Sequence, residues 1–277
     1  MEKEAIQHLE DNAVIDQINT TLDPETTGVI ALPESARLED LEKYGDQRRR
    51  FRGTFATNDP KAFTNYCVTN SDAPDITSAC FVDGDQMSAL AIMDLGTVHT
   101  PLHAEHRAGL SLQKTAAFKA LLGIEGERLS QKDAAEWLED WTPHLSALVS
   151  GEGGYEPCAI TKAIAAVRRV TLKTKSEQEH ADSDYGASRS TMESVEASSR
   201  EQPLPAFFEF TCTPYQGLTE RTFRMRVSLI TSAAEPQFRL RMVQAEQEHE
   251  EMADEFADLV RQEIGGVMSV TIGRMKA

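Results

Sequence analysis

"RTFRMRVSLI" at Arg221–Ile230 and "QFRLRMVQ" at Gln237–Gln244 decide the fold. In the first run Phe223, Met225, Val227 and Leu229 alternate with Arg224, Arg226 and Ser228. In the second, Phe238, Leu240 and Met242 alternate with Arg239 and Arg241. A period of two belongs to a strand whose side chains point to either face in turn, so each run predicts a half-exposed strand. "FFEFTCTPY" (Phe207–Tyr215) comes just before as a third strand. If the two arginine runs pair as a hairpin, Arg224, Arg226, Arg239 and Arg241 share the face turned away from the core.

Toward the C-terminus an amphipathic helix is expected, with Met252, Phe256, Leu259 and Val260 on its apolar side and eight acidic residues between Glu246 and Glu263. "GVMSVTIGR" then reads as a final strand. Upstream, residues 176–203 are polar and serine-rich, and periodicity leaves them open as a long hairpin, a helical excursion or an arm. "CAITKAIAAVRR" (158–169) reads as a helix running into "VTLKTKSEQEH", strand-like at its start. "SGEGGYEP" (150–157) marks an internal boundary by its glycines.

The N-terminal half is also mixed. Residues 4–19 suggest a helix, "VIALP" a short strand, and "ESARLEDLEKYG" a short helix closed by Gly45. "RRRFRGTFAT" (48–57) alternates as a strand. "NDPKAFTNYCV" offers Asp59 as N-cap and Pro60 at the first helical position, a start signal with a mechanism. "DITSACFVDGDQMSALAIMDLG" (75–96) reads as a hairpin turning at Asp83-Gly84. "AGLSLQ" is a strand. "KTAAFKALLG" and "SQKDAAEWLEDW" are helices, the second capped by Ser130 with Ala134, Trp137, Leu138 and Trp141 on one face; a third helix is expected in "PHLSALVS".

Strands in antiparallel-looking groups separated by helices predict an α+β protein: mixed, mainly antiparallel sheets with amphipathic helices packed on them. The expected organisation is an N-terminal helical segment over 1–24, an α+β lobe over 25–150, and a β-rich lobe over 158–277 with the C-terminal helix and final strand. One continuous domain over both lobes is the alternative.

Composition narrows the function classes. With 277 residues, 40% hydrophobic and 26% charged, the chain can bury a core. Its formal net charge of −17 disfavours non-specific contact with nucleic acid or anionic lipid. Cys67, Cys80, Cys158 and Cys212 form no C-x-x-C pair and read as reduced thiols. No run approaches the roughly 18 apolar residues of a membrane span, and the N-terminus lacks the apolar stretch of a secretory signal, so a cytoplasmic protein without membrane contact is expected.

The candidate sites follow from residue chemistry. Arginines in a row suit phosphate or carboxylate recognition, because a guanidinium presents a rigid fork of donors. Arg224, Arg226, Arg239 and Arg241 are therefore anion-binding candidates, and Arg50 and Arg52 of "RRRFR" extend the set. The competing expectation is that the acidic helix after the hairpin neutralises the row within the molecule or between subunits. "TVHTPLHAEHRAG" (97–109) crowds His99, His103 and His106 together, with Asp94 and Glu105 nearby. A metal needs three or four donors converging, while Pro101 and the flanking strands favour a solvated connector, so the three are weak metal candidates. Trp137 and Trp141 share their face with Ala134 and Leu138, which is core patterning. "SLQK" (Ser111–Lys114) matches S-x-x-K without a supporting motif, and "DGD" (83–85) is explained by its turn. No phosphate-loop, dinucleotide, nucleophile-elbow or zinc-protease motif occurs, so neither a catalytic set nor a cofactor is expected.

Several stretches resemble the YfdQ family of bacteriophage and prophage proteins: "RLEDLEKY" (37–44), "RRRFRGTFAT" (48–57), "AEWLEDW" (135–141), "ASRSTMESVEASS" (187–199) and "FEFTCTPYQGLTERTF" (208–223). The resemblance covers most of the chain from about residue 37. It implies a phage or prophage origin and a bacterial cytoplasm, and carries no catalytic residues to transfer. The leading expectation is a non-catalytic accessory protein acting as a homo-oligomer, with a ring or shell among the geometries allowed. The alternatives are an anion- or nucleic-acid-binding factor in phage DNA metabolism or host-defence sequestration, and a metal-dependent hydrolase at the histidines.

Overall fold

A computed structural model describes residues 12–21, 31–32, 42–48, 50–71, 78–170, 203–230 and 236–276. The chain divides into two compact units, residues 1–51 and 52–277. In the first, residues 12–21 are helical (α1), and Asn19 ties this helix to Ala31. Its Nδ2 donates to the Ala31 carbonyl at 2.8 Å while its Oδ1 accepts from the Ala31 N–H at 2.6 Å. Glu42–Tyr44 makes one 3-10 turn. Most of "VIALP" and of "ESARLEDLEKYG", and all of 176–202, lie outside the described residues.

The second unit is α+β, with two sheets. Strands β1 (Gly53–Thr57), β2 (Ala79–Asp83), β3 (Ser88–Ile92), β4 (His106–Ser111) and β11 (Ser269–Ile272) form a five-stranded mixed sheet in the order β1-β4-β3-β2-β11. The β1–β4 and β2–β11 pairs are parallel and the inner pairs antiparallel. Strands β5 (Leu129–Ser130), β6 (Leu145–Gly151), β7 (Gly154–Cys158), β8 (Phe207–Cys212), β9 (Arg221–Ile230) and β10 (Gln237–Met242) form a six-stranded sheet, β5-β10-β9-β8-β6-β7, antiparallel throughout.

Among the described residues five helices complete the unit: α2 (Pro60–Asn70), α3 (Ala116–Ile124), α4 (Gln131–Asp140), α5 (Ile160–Arg169) and α6 (Ala245–Ile264). Their starts follow local chemistry. The Asp59 carboxylate accepts the Lys61 N–H at 2.9 Å with Pro60 at the first helical position, and Ser130 accepts the Asp133 N–H at 3.1 Å. Each such cap stabilises its helix by about 1 kcal/mol. Helix α2 packs on β1 and β4 and against α6, which also covers β2 and β11; α4 and α5 pack together beside the six-stranded sheet. One core draws on both sheets, with Phe63, Cys80, Val82 and Leu110 from one side and Phe208, Phe210, Phe223 and Phe238 from the other. Phe118 of α3 joins them, stacked on Phe223 at 5.2 Å.

Three local readings are corrected. "PHLSALVS" is not a helix: Thr142–His144 makes a 3-10 turn, and Leu145, Ala147 and Val149 then alternate along β6. The glycines of "SGEGGYEP" turn the β6–β7 hairpin instead of separating lobes, with Gly151 paired to Gly154. In the β2–β3 hairpin Asp83 pairs with Ser88 across a four-residue turn, and the positive φ falls on Met87 (48°). Gly84 serves a different purpose, since a Cβ there would lie 2.8 Å from the Ala253 Cβ of α6. The missing side chain allows helix and turn to close on each other.

Candidate functional site

Strand parity places the arginines. Along β9 the odd positions Phe223 and Met225 are buried in the core, whereas Arg224 and Arg226 on the even side are exposed. Along β10, Phe238, Leu240 and Met242 are buried, leaving Arg239 and Arg241 on the outer side. The two strands pair with Arg241 directly opposite Arg226 and Arg239 opposite Ser228. The four predicted arginines therefore stand on one sheet face.

Acidic helix α6 does not neutralise this face. It meets Arg221, an odd-numbered residue on the core side of β9 that the sequence reading did not single out. Arg221 bonds Glu251 and Glu255 at 3.0 Å each, with Glu248 at 3.6 Å. Burial works against the Arg221 charge, and the bonds from Glu255 and Glu251 more than restore it. Burial likewise opposes ionisation of Glu255, but the Thr219 N–H at 2.6 Å and Arg221 hold its carboxyl below the usual carboxylate value.

On the outer face, Arg224 pairs with Glu209 on β8 at 2.8 Å. Arg226, Arg239 and Arg241 have no ion pair among the described residues, and the Arg239 Nε is buried without an acceptor there. Like charges directly opposed on adjacent strands destabilise a sheet, so the Arg226–Arg241 pair is held at an energetic cost.

The same face carries an apolar half that the alternation alone did not reveal. A single cross-strand row runs Arg241, Arg226, Phe207, Leu148 and Pro157. Phe207 points outward yet is only 6% exposed. The Arg224 and Arg226 guanidinium groups lie 5.7 and 5.8 Å from its ring, and Tyr155 meets it edge-on at 4.7 Å. The doubled phenylalanine in "FFEF" is the signal, because it puts one aromatic ring on each side of β8.

Arg52 does not extend this face: it precedes β1 of the other sheet and pairs with Glu105 at 3.4 Å. Arg50 belongs to the separate unit 1–51.

The histidine stretch is a structured connector. Asp94, a conceivable ligand by sequence, instead accepts the Glu105 and His106 N–H groups at 3.1 and 2.9 Å. His106 begins β4, and its Nε2 lies 3.0 Å from the Tyr66 hydroxyl. His99 and His103 are exposed in the loop. Among the described residues no three His, Cys, Asp or Glu side chains are grouped to hold a metal. The two tryptophans pack as the pattern implied, with Trp137 and Trp141 at 5.6 and 6.0 Å from the buried Phe210 ring. No described helix is long and apolar enough to cross a membrane.

No curated protein and no solved structure matches the chain. Residues 2–275 match the profile of an uncharacterized conserved protein family (DUF2303), so over nearly its whole length the chain belongs to that family.

Proposed function

We propose that this protein is a non-catalytic accessory protein of phage or prophage origin that acts as a homo-oligomer, the arginine-bearing face of one copy receiving the acidic face of α6 on the next. One observation carries the reading: Arg226 and Arg241 face each other across the hairpin without a carboxylate partner among the described residues, in a chain with 45 acidic and 28 basic residues. Two facing arginines with no acid beside them among the described residues suit a carboxylate supplied by another copy. A source lies on the same chain. Glu246, Glu250 and Asp254 form an exposed i, i+4 stripe on α6 without ion pairs among the described residues. Like charges at that spacing also destabilise a helix, so each patch relieves the other's repulsion on contact. Two different patches make a head-to-tail interface, which closes into a ring or runs on as a filament. The resemblance to phage and prophage proteins supports the origin and a bacterial cytoplasm.

A second reading has its own observation. Tyr155, exposed and edge-on to the Phe207 ring that Arg224 and Arg226 overlie, provides an aromatic surface beside positive charge, the combination that single-stranded nucleic acid uses. The net charge of −17 stands against it. Filter binding of single-stranded DNA and RNA across salt separates the two, since phosphate binding weakens steeply as salt rises. Light scattering of the protein alone tests the first: the mass should exceed a monomer at low salt and fall toward it as salt screens the contact.

A further inference from the structure

A second, smaller site lies between the β2–β3 turn, the chain leaving β4, and the loop after β8. There a cleft of about 450 Å³ is walled by Asp85, Gln86, Gln113, Lys114, Lys119 and Tyr215, with Leu112 as apolar floor. Its walls are tied together by the backbone. Lys114 and Tyr215 form a β-bridge, the Thr115 N–H donates to the Pro214 carbonyl at 3.0 Å, and the Gln216 N–H donates to the Gln113 carbonyl at 3.1 Å. Lys119 projects from the first turn of α3, whose start is fixed by Thr115 accepting the Phe118 N–H.

Three features of this cleft suit an anionic ligand. Lys114 and Lys119 are exposed cations without an ion pair among the described residues, although the chain is rich in carboxylates. Tyr215 is 94% buried, being 6% exposed, with its ring against Phe118 at 5.7 Å. Its hydroxyl oxygen is not itself buried and has no hydrogen-bond partner among the described residues, so it is open to the cleft. A phenol is protonated at neutral pH, so this hydroxyl is a hydrogen-bond donor. Two ammonium groups and one phenolic O–H around one cleft make a donor set for a small anion.

We infer that this cleft binds a phosphorylated small molecule of about mononucleotide size, its phosphate on Lys114 and Lys119 with the Tyr215 hydroxyl as third donor. A phosphate monoester brings nearly two charges and three acceptor oxygens, matching two cations and three donors. A carboxylate, with one charge and two oxygens, leaves a donor idle. Asp85, Gln86 and Gln113 then accept from or donate to the hydroxyl and amino groups of the ligand's body. The volume lies within the roughly 300–1,000 Å³ of small-molecule sites. The site shares no residue with the arginine face, so either stands without the other.

Calorimetric titration of the full chain with inorganic phosphate, AMP and adenosine tests this. AMP binds, phosphate binds more weakly, and adenosine does not bind. Lys114→Met with Lys119→Met weakens AMP by at least about tenfold. Tyr215→Phe, which keeps the ring on Phe118, weakens AMP without lowering the melting temperature. Arg226→Ala with Arg241→Ala leaves AMP affinity intact. The inference is overturned if neither phosphate nor AMP binds, if the lysine variant binds as well as the parent, or if only the arginine variant loses binding.

Discussion

Glu255 shows how a single residue sets a pH dependence. Its carboxyl is held below the ordinary value of 4.5 because the Thr219 N–H and Arg221 outweigh burial. A carboxylate whose folded-state value is depressed adds stability above its unfolded value, and that stability is lost as pH falls through the folded one. Glu255→Gln is therefore destabilising at neutral pH, and the gap to the parent narrows as pH falls below the ordinary value of 4.5, read by urea unfolding across that range. Arg221 answers three acids at once and is only 17% exposed. Arg221→Ala leaves those acids facing each other and costs on the order of 2–4 kcal/mol in the same measurement. The cysteines give a second test. Burial pushes Cys67 and Cys80 up to about 12 and Cys212 up to about 11, whereas Cys158 is half-exposed. Thiol labelling at pH 8 should modify only Cys158 in the native protein and all four after unfolding, as only the thiolate reacts.

At the scale of elements, legibility followed periodicity and local chemistry. The caps at Asp59 and Ser130 and the parity of β9 and β10 could be read directly, because each depends on residues within a few positions of one another. "PHLSALVS" could not, since a short apolar run fits either period and its partners, Phe207–Phe210 and Gly154–Cys158, decide the outcome. Gly84 does lie in the β2–β3 turn, but the need for a glycine there was not legible for the same reason: its close neighbour, Ala253, lies far away in sequence. The arginines of the candidate site were legible, but that the acids of α6 meet Arg221 instead of them was not, because partner choice depends on which side of β9 helix α6 crosses. Two element-level outcomes follow. Trp137→Ala strips the Phe210 ring of a neighbour and should cost about 3 kcal/mol by denaturant unfolding. Gly96 holds φ at +75°, and a Cβ there would strike the Thr100 carbonyl and the Leu102 amide. Gly96→Ala should therefore loosen the 94–106 connector, seen as faster amide exchange at Ala104, Glu105 and His106, whose N–H groups Asp94 holds.

The whole molecule divides its charge unevenly. An acidic chain keeps a cluster of arginines on one sheet face and, on α6, a carboxylate stripe without ion pairs among the described residues, and the fold bears the repulsion within each. In the proposed assembly, contact between copies would relieve both. The most direct measurement is molar mass by light scattering from low to high salt, for the parent, for Arg226→Glu with Arg241→Glu, and for a mixture of that variant with Glu250→Lys plus Asp254→Lys. The account predicts a parent mass above 30.7 kDa that falls with salt, a monomeric arginine variant, and mixed assembly when the reversed faces are combined. A parent that stays at the monomer mass at low salt, or an arginine variant that assembles like the parent, would contradict it.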